Sequence, residues 1–552
     1  MPPDLPETYY LDNVIILFDH IESLYGDILE KEHLDFLHQF ATLSIDAQKL
    51  YIRLLNRSHH LFRLSKLDYP EIGSLDRVTQ ELEASRFLRL DPEIERQERI
   101  ALFSKAELLS LHAEPKSLRT LKRTALESRL LEQADNCFFA ALKQDDRMIQ
   151  VLQKDSYLLF QMLFFGNLNQ SMTDFVLRDL GLNQFENYTI DLENRPYGST
   201  VDIQQHWLLH RIESLLQLAE ADDTDTLEAC FSAMPEDIDP GSPLFRISER
   251  IKYKVARQFE RLGDQALALD RYRQCVLPPS RERIVRLLTQ QGKIESALRI
   301  CETIVADPYG DEELQFALVF GTRLVKRHKL NHATVFDQTG FNHNPERIEL
   351  SLPRQESVEQ AVVDYLIAQD DSSQCYYLEN SLFNGVLGLI IWDVVFAPVP
   401  GAFYHPFQKR PADFYAHDFR RKRALQLAQV WSSISSNADI LQCARECWAT
   451  KHGLMNPLVN WQTLSLEVIE LALIRINFSH WMAIFERILL DLRNNRAGFP
   501  DLTLFPADGG YRLIEVKGPG DSLQKNQQRW MQFFAEHDIP HALAQVQWIP
   551  DE

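Results

Sequence analysis

The chain has 552 residues, of which 45% are hydrophobic and 25% are charged, as in ordinary soluble globular proteins. Its length predicts about three to five domains, and no apolar stretch approaches the roughly 18–20 residues of a membrane span. The formal net charge of −21 excludes a generally basic surface, so any nucleic-acid footprint has to be local and salt-sensitive. Seven scattered cysteines and an N-terminus without a signal-peptide pattern predict reduced thiols and a cytoplasmic protein, nucleoid-associated if bacterial.

Residues 8–70 are predicted to be helical, because Val14, Phe18 and Ile21 recur at helical spacing. The stretch 51–66 is rich in basic side chains, which form either a face against a nucleic-acid backbone or a solvated helix surface. Its basic residues are Arg53, Arg57, His59, His60, Arg63 and Lys66.

Residues 100–145 read as a short helix, a turn and a second, basic helix. Four basic side chains in this stretch are spaced so that they can follow a row of DNA phosphates. They are Lys116, Arg119, Lys122 and Arg123.

The middle of the chain contains an acidic segment and a weak repeat. Residues 219–243 are acidic and turn-rich, which predicts a linker or an exposed loop. In residues 246–310, Gly263 is followed by Ala268, and Gly292 by Ala297, at the same spacing. This predicts TPR-like paired helices, which serve either as a protein-binding surface or as a rigid spacer.

The C-terminal part carries the most informative pattern. Asp501 opens an apolar run, and Glu515 and Lys517 lie two residues apart on the next predicted strand, so they share a face. Carboxylates of this kind hold Mg²⁺ or Mn²⁺, and a nearby ammonium can orient water or offset phosphate charge. Helices near 357–369, 379–396 and 462–492 are predicted to flank a sheet of strands 500–505, 511–517 and 543–548.

Pro-Asp…Glu-x-Lys resembles the PD-(D/E)xK nuclease superfamily. The G-x-P-D-L sequence at 498–502, E-V-K-G-P at 515–519 and the following D-x-L…Q…W segment look like its VRR-NUC branch, in particular the Fanconi-associated nuclease family, bacterial type. The resemblance extends to segments near residues 378–393 and 50–63. It therefore covers most of the chain.

The resemblance implies roles for individual residues. Glu379, Asp501 and Glu515, with the backbone carbonyl of Val516, would bind one or two Mg²⁺ or Mn²⁺ ions. Lys517 would act with Asp501 and Glu515 in catalysis. Gln527 would support the site from the following helix, for which Asp521 is the predicted N-cap and Gln524 a capping-box residue.

Further basic residues are candidates for DNA contact. Arg493 and Arg496 precede Asp501 and are predicted to contact phosphate near the scissile bond or to form a solvated helix end. The densest basic cluster is predicted either to line the substrate entrance or to lie on a solvated helix. It contains Lys409, Arg410, Arg420, Arg421, Lys422 and Arg423, of which Arg420 and Arg421 are the strongest candidates. The family also carries a SAP-type DNA-binding module at 100–145.

The predicted fold class is mostly α and multidomain, with a C-terminal α/β PD-(D/E)xK (VRR-NUC) nuclease domain. The predicted divisions are 1–99 (helical, DNA-binding), 100–145 (SAP-like), 146–245 (helical, with the acidic linker), 246–354 (TPR-like) and 355–552 (nuclease). The resemblance implies a metal-dependent, structure-selective nuclease with 5′-flap endonuclease and 5′→3′ exonuclease action of the phosphodiesterase I type, in interstrand crosslink repair.

Two alternatives stay open: a junction-resolving endonuclease and a non-catalytic helical repair scaffold. The expected partner is branched or 5′-flap DNA, with no membrane and with the TPR-like region as a candidate protein-binding surface. The sequence does not fix the oligomeric state.

Overall fold

A computed structural model describes residues 8–549 except 58, 113–115, 117, 134, 171–174, 176–180, 182, 221, 331–335 and 337–343. The chain divides into two compact units, residues 1–182 (unit 1) and 183–552 (unit 2). The five-part division expected from the sequence stays a prediction. In the described part of the chain, no single helix is long and apolar enough to cross a membrane, although one sharply bent helix pair passes that test as a pair.

Unit 1 combines helices with a three-stranded antiparallel sheet in the order β1-β3-β2. The strands are β1 (Leu61–Arg63), β2 (Leu88–Leu90) and β3 (Met148–Val151). Aromatic rings fill the core, where Phe36 contacts both Phe18 and Phe87 edge-on. The described helices are Tyr9–Tyr25, Lys31–Thr42, Ile45–Leu55, Leu75–Ala84, Arg96–Ala101, Lys105–Leu111, Arg123–Gln133, Asn136–Asp145 and Lys154–Phe165.

The basic residues of the stretch 51–66 do not share one helix surface. The helix ends at Leu55, and the chain then enters β1 and a short 3-10 turn. Arg63 is buried, with ion pairs at 2.9 Å to both Asp146 and Glu107. Arg53 is held at 2.8 Å by Glu71. A buried cation needs such partners, so Arg63 stabilises the interior of the unit. The other basic residues of the stretch are partly or fully exposed.

The first half of unit 2 is a stack of helices. Gly263 and Gly292 adopt φ values of 86° and 74° in the turns between paired helices, while Ala268 and Ala297 are fully buried at the helix contacts. This confirms the predicted helical pairing. The described helices are Thr200–Leu218, Thr224–Ser232, Pro243–Arg261, Gln265–Arg273, Ser280–Gln290, Ile294–Ala306 and Asp311–His328.

The acidic segment 219–243 was predicted to be a linker or an exposed loop, but part of it is helical. It contains the helix Thr224–Ser232, whose N-terminus is capped because the Asp223 side chain accepts a hydrogen bond from the backbone N–H of Thr226. Leu227 and Phe231 on this helix are buried in the core of the helical stack. The acidic residues therefore start a helix whose apolar side the turn-rich composition concealed.

The second half of unit 2 contains a five-stranded mixed sheet in the order β4-β8-β7-β6-β5. The strands are β4 (Arg347–Leu352), β5 (Gln374–Tyr377), β6 (Leu502–Phe505), β7 (Arg512–Lys517) and β8 (His541–Trp548). β6 and β7 form an antiparallel hairpin, and β8 runs parallel to both β7 and β4. The sequence predicted β6, β7 and β8 but neither β4 nor β5.

Helices cover both faces of this sheet. Helix Val358–Gln369, the first core helix, covers one face, where Val362 belongs to the same buried cluster as Leu502 and Ile514. Helix Lys525–Glu536, the motif helix, lies on the other face, with Trp530 and Phe534 in the larger core. The remaining described helices are Ser381–Ile390, Trp392–Val395, Phe419–Lys422, Ala424–Ser433, Asn437–Lys451, Leu466–Arg475 and Phe478–Leu490.

Candidate active site

Asp501, Glu515 and Lys517 meet at one end of the β6–β7 hairpin. Asp501 directly precedes β6, and one of its carboxylate oxygens accepts a hydrogen bond of 2.8 Å from the backbone N–H of Val516. Glu515 is completely buried, and its Oε1 lies 2.7 Å from the ammonium of Lys517. The antiparallel pairing of Leu502 with Ile514 sets this register. Strand alternation therefore brings together residues that are 14 positions apart in the chain.

Glu379 follows β5 and is adjacent to Asp501 through the backbone. The N–H groups of Leu378 and Glu379 both donate to the carbonyl of Asp501, at 3.1 and 3.0 Å. Glu379 has a φ of 43°, which is costly for a residue with a Cβ and is found where surrounding contacts impose it. Its side chain is exposed and accepts a 2.8 Å hydrogen bond from Asn380. The carboxylate oxygens of Glu379, Asp501 and Glu515 are not all close enough to one another to hold a single ion with the side chains in these positions.

Burial dominates the electrostatics of the two inner carboxylates. It raises the pKa of Asp501 to about 6, against the lowering effects of the Val516 N–H and Lys517. Burial, with the added charge of Asp501, raises the pKa of Glu515 to about 7, although Lys517 favours the ionised form. One oxygen of Glu515, Oε2, is buried without a hydrogen-bond partner. The site therefore holds more negative charge than Lys517 alone offsets.

Gln527 reaches the same site from the motif helix. Its Nε2 donates to Glu515 Oε1 at 2.5 Å, while its own oxygen accepts from the backbone N–H of Gln524 at 2.9 Å. The capping box is thus formed by Gln524 and Gln527, and the helix begins at Lys525. The prediction that Asp521 caps this helix is wrong. Asp521 instead accepts from the N–H of Gly518 and closes the turn after β7.

The segment before Asp501 is fixed by ring packing and by Gly498. Phe499 stacks with Phe383 at a centroid distance of 5.2 Å and lies 4.1 Å from Trp530. The indole N–H of Trp530 donates to the carbonyl of Ala497. Gly498 has a φ of 89° and approaches Asn526 so closely that a Cβ would lie 2.7 Å from its amide nitrogen. This packing locates Asp501 relative to the motif helix.

Arg493 and Arg496 lie in turns between helix Phe478–Leu490 and β6, not at a helix end. Arg493 is exposed. Arg496 is half-buried, with its guanidinium 5.0 Å from the ring centre of Tyr415, over which Arg410 also lies at 4.8 Å. These positions do not test whether Arg493 and Arg496 bind phosphate, so that role stays a prediction.

The densest basic cluster does not form one surface. Arg423 is fully buried and forms a two-pronged ion pair with Asp413, at 2.8 and 3.0 Å, so its predicted place at the substrate entrance is wrong. Arg420 lies 3.4 Å from Glu486. Arg421 is 77% exposed and lies 3.7 Å from Asp418. Arg420 and Arg421 thus remain candidates for DNA contact, with acidic neighbours.

The four basic residues predicted in the SAP-like module belong to unit 1. Lys116, Arg119 and Lys122 are exposed. Arg123 is half-buried because it pairs with Glu127 at 2.7 Å and donates to the carbonyl of Ile100 at 3.0 Å. Lys116, Arg119 and Lys122 are thus on the surface, whereas Arg123 is held inside the module by its two partners.

Two residues near the site were missed at the sequence level. Glu359, in the first turn of the first core helix, lies near enough to raise the pKa of Asp501. Tyr377 at the end of β5 is 49% exposed, and its pKa is raised first by burial and then by Glu379 and the other carboxylates. Recognising β5 as a strand ending beside Asp501 would have identified Tyr377.

The donor set fits a hard divalent ion. Asp501, Glu515 and Glu379 offer carboxylate oxygens, which Mg²⁺ and Mn²⁺ prefer. The unpartnered Oε2 of Glu515 and the raised pKa values of both inner carboxylates indicate an uncompensated negative charge, which a cation would offset. No cysteine or histidine is among these residues, which argues against a site for a softer metal.

Comparison with known proteins identifies the family. The VRR-NUC domain matches residues 435–548, and the FAN1 HTH domain matches residues 8–89. The Fanconi-associated nuclease 1 homolog of Pseudomonas aeruginosa is 32% identical over 100% of this chain and 98% of its own length. The chain belongs to the Fanconi-associated nuclease family. It is a structure-selective DNA nuclease, and its VRR-NUC domain makes cleavage dependent on a divalent metal.

More distant members of the family are longer. The Oryza sativa homolog is 22% identical over 95% of this chain and 61% of its own length, and the Mus musculus nuclease is 23% identical over 98% and 63%. A crystal structure of paFAN1 bound to 5′-flap DNA with a two-nucleotide flap and a gap has a TM-score of 0.83 and 31% identity, with all of both chains covered. The Fanconi-associated nuclease fold is therefore shared along the whole chain.

Proposed function

We propose that this nuclease cleaves 5′-flap DNA endonucleolytically, degrades DNA in the 5′→3′ direction with phosphodiesterase I-type chemistry, and serves in the repair of DNA interstrand crosslinks. The observation that carries the proposal is the end-to-end likeness to a family member bound to 5′-flap DNA, in a chain whose Asp501, Glu515 and Lys517 converge at one end of the β6–β7 hairpin. The proposed ions are Mg²⁺ or Mn²⁺.

Each residue of the site has a role in this proposal. Asp501, Glu515 and Glu379, with the Val516 carbonyl, hold the ion, and Gln527 keeps the Glu515 carboxylate oriented. A bound divalent ion supplies the positive charge that activates water and offsets phosphate charge. The Lys517 ammonium, fixed by Glu515, orients the attacking water or stabilises the charge that develops on the phosphoryl oxygens. Arg493 and Arg496 contact phosphate near the scissile bond.

The alternatives make different predictions. A junction-resolving enzyme would cut four-way junctions in preference to flaps, and a scaffold would cut neither. The long helical part of the chain supports a nuclease that holds a branched duplex at a single site. The buried Glu515–Lys517 pair supports a working site, because an idle buried pair costs desolvation that a functional role would explain.

The test is cleavage of end-labelled 5′ flaps, 3′ flaps and four-way junctions by purified protein, with Mn²⁺ or with chelator. We expect the protein to cut 5′ flaps in preference to the other two substrates, with Mn²⁺ present and not with chelator. Asp501→Ala and Lys517→Ala should each lower the rate by about 100- to 1,000-fold, since the first removes a ligand of the ion and the second a positive charge beside the reacting phosphate, and flap affinity should stay near that of the wild type.

Asp508→Ala is the matched control, because this exposed carboxylate lies in the turn at the opposite end of the same hairpin. It should cut flaps at the wild-type rate. Wild-type activity in Asp501→Ala, or a preference for four-way junctions, would contradict the proposal.

A further inference from the structure

A cavity of about 390 Å³ lies in unit 1, whereas the catalytic residues belong to unit 2. It is bounded by helices Arg96–Ala101 and Asn136–Asp145 and by the residues that follow β2 and precede β3. Three cations line it, Arg99, Lys143 and Arg147. We call it the Arg99 cavity, and its volume is at the lower end of the range of roughly 300–1,000 Å³ in which proteins bind small ligands.

Arg99 is the unusual member of this lining. It is only 7% exposed, and among the described residues its guanidinium has no hydrogen bond and no ion pair. Burial lowers its pKa, and the field of Asp91 offsets this only in part. Arginine stays charged in proteins, and none of its guanidinium nitrogens is among the buried atoms without a partner, so the charge reaches the solvent of the cavity without a direct protein partner. Such a charge is available to an anion that enters the cavity.

The two carboxylates of the cavity are already engaged. Asp91 accepts from the backbone N–H of Met148 at 2.9 Å and lies 3.4 Å from Arg147. Asp146 accepts from Arg63 at 2.9 Å and from the N–H of Ser65 at 3.2 Å. The negative charge of the lining is therefore neutralised within the unit.

The remaining cations face the opening of the cavity. Lys143 is exposed and has no ion pair in the described part of the chain, and Arg147 is also exposed. Arg99 and Lys143 are thus two uncommitted positive charges, one buried and one at the mouth, on the wall of one cavity. This arrangement disfavours a cationic ligand and favours a compact anion with several acceptor oxygens.

We propose that the Arg99 cavity binds a phosphate group, with Arg99 as the inner donor and Lys143 at the mouth. The planar guanidinium fork matches two phosphate oxygens, and the ammonium supplies a point charge. The phosphate has two conceivable sources, the backbone of DNA held by the nuclease and a free mononucleotide. The DNA backbone as the source rests on the DNA nuclease activity of the chain.

The first experiment measures binding of a fluorescein-labelled DNA duplex by anisotropy. Lys143→Glu and Arg99→Gln should each weaken binding about tenfold or more, since each removes a charge-assisted hydrogen bond to phosphate. Arg99→Lys, which keeps the charge at the buried position, should bind better than Arg99→Gln. Lys31→Glu is the matched control, because it reverses an exposed lysine of the same unit outside the cavity.

Cleavage of the p-nitrophenyl ester of thymidine 5′-monophosphate separates this proposal from the catalytic one. The ester carries a single phosphate, so it cannot occupy the catalytic residues and a second phosphate site at the same time. All four variants should therefore cleave it at the wild-type rate if the Arg99 cavity only binds. Failure of the wild type to cleave it would instead count against the proposed chemistry at Asp501.

The second experiment measures the Tm with added inorganic phosphate or AMP. A rise in Tm in the wild type and in Lys31→Glu, but not in Lys143→Glu or Arg99→Gln, together with unchanged duplex affinity, would assign the site to a free phosphate ligand. If Lys143→Glu and Arg99→Gln match Lys31→Glu in duplex affinity and in every Tm response, the proposal is overturned. Since Lys143 is exposed, its variant keeps the test valid even if Arg99→Gln fails to fold.

Discussion

At the scale of single residues, the site concentrates charge that the fold alone does not stabilise. Glu515 is fully buried beside Asp501, and Lys517 is the only cation in direct contact with either carboxylate among the described residues. The raised pKa values of both carboxyls follow from this burial. A site that binds an ion accepts this cost in the ion-free state, because ligands already held inside the fold lose less freedom when the ion binds.

We therefore expect Glu515→Gln to stabilise the ion-free protein at alkaline pH. The folded-state pKa of about 7 is above the unfolded value near 4.5, so the folded state binds more protons between these values. The free energy of unfolding of the wild type then falls as pH rises through this window. In chelator at pH 8, Glu515→Gln should be more stable by on the order of 2 kcal/mol, measured by urea denaturation.

The same measurement at pH 4.5 is the internal control, since Glu515 is then protonated and the gain should vanish. Glu356→Gln removes an exposed carboxylate from the same unit and should change little at either pH. Added Mn²⁺ should raise the Tm of the wild type but not of Glu515→Gln. A variant that is no more stable than the wild type at pH 8 would refute the assignment of this buried charge.

The sequence predicted which residues form this site better than it predicted where their side chains lie. Asp501, Glu515 and Lys517 could be predicted, because a Pro-Asp start and a two-residue alternation on a strand determine which side chains meet. The side-chain position of Glu379 could not, since it depends on a left-handed residue after a strand that the sequence did not reveal. Glu359 was invisible for another reason: an acidic residue in a first helical turn is ordinary.

At the scale of elements, the contact between the loop before β6 and the motif helix sets the spacing of the site. Gly498 approaches Asn526 closely, and Gln527, the residue after Asn526, donates a hydrogen bond to Glu515. A methyl group on residue 498 would lie 2.7 Å from the Asn526 amide nitrogen and 3.1 Å from its backbone carbon. Since backbone cannot move aside cheaply, the start of the helix would have to shift.

We expect Gly498→Ala to lower the rate of flap cleavage roughly 100-fold, because a displacement of about 1 Å in catalytic groups costs this much. Gly510→Ala is the matched control. Gly510 also has a positive φ, 69°, but a Cβ there would meet nothing within 4 Å. Both variants should lose about 1 kcal/mol of stability in urea denaturation from the left-handed conformation, but only Gly498→Ala should lose activity. Equal cleavage rates for the two would show that the contact with Asn526 does not position the site.

Elements were predicted well where periodicity was strong. The helical repeat and the hairpin β6–β7 were found, because their apolar spacing is local. The edge strands β4 and β5 were missed, since β5 has only four residues and gains its partners from distant parts of the chain. The predicted helix 462–492 is two helices with a bend of 115°, because Asn477 starts a new helix at that point.

At the scale of the whole molecule, the net charge of −21 has to be reconciled with a polyanionic substrate. Much of the positive charge near the predicted DNA contacts is tied up internally, as in Arg63, Arg123 and Arg423. The remaining exposed cations, such as Lys116 and Arg421, work against a repulsive background. Composition alone could not reveal this division, because it depends on which arginines are buried.

Flap cleavage under subsaturating conditions should therefore fall steeply with salt. Between 50 and 200 mM KCl we expect kcat/KM for a 5′ flap to drop by at least about tenfold, because released counterions and the screening of local basic patches both weaken binding. Cleavage of the p-nitrophenyl ester of thymidine 5′-monophosphate, which has a single phosphate, should change less than about threefold over the same range. Both rates are measured with saturating Mn²⁺, so that changes in ion binding do not contribute. If the two substrates showed the same salt dependence, DNA would not be held by focused phosphate contacts outside the catalytic centre.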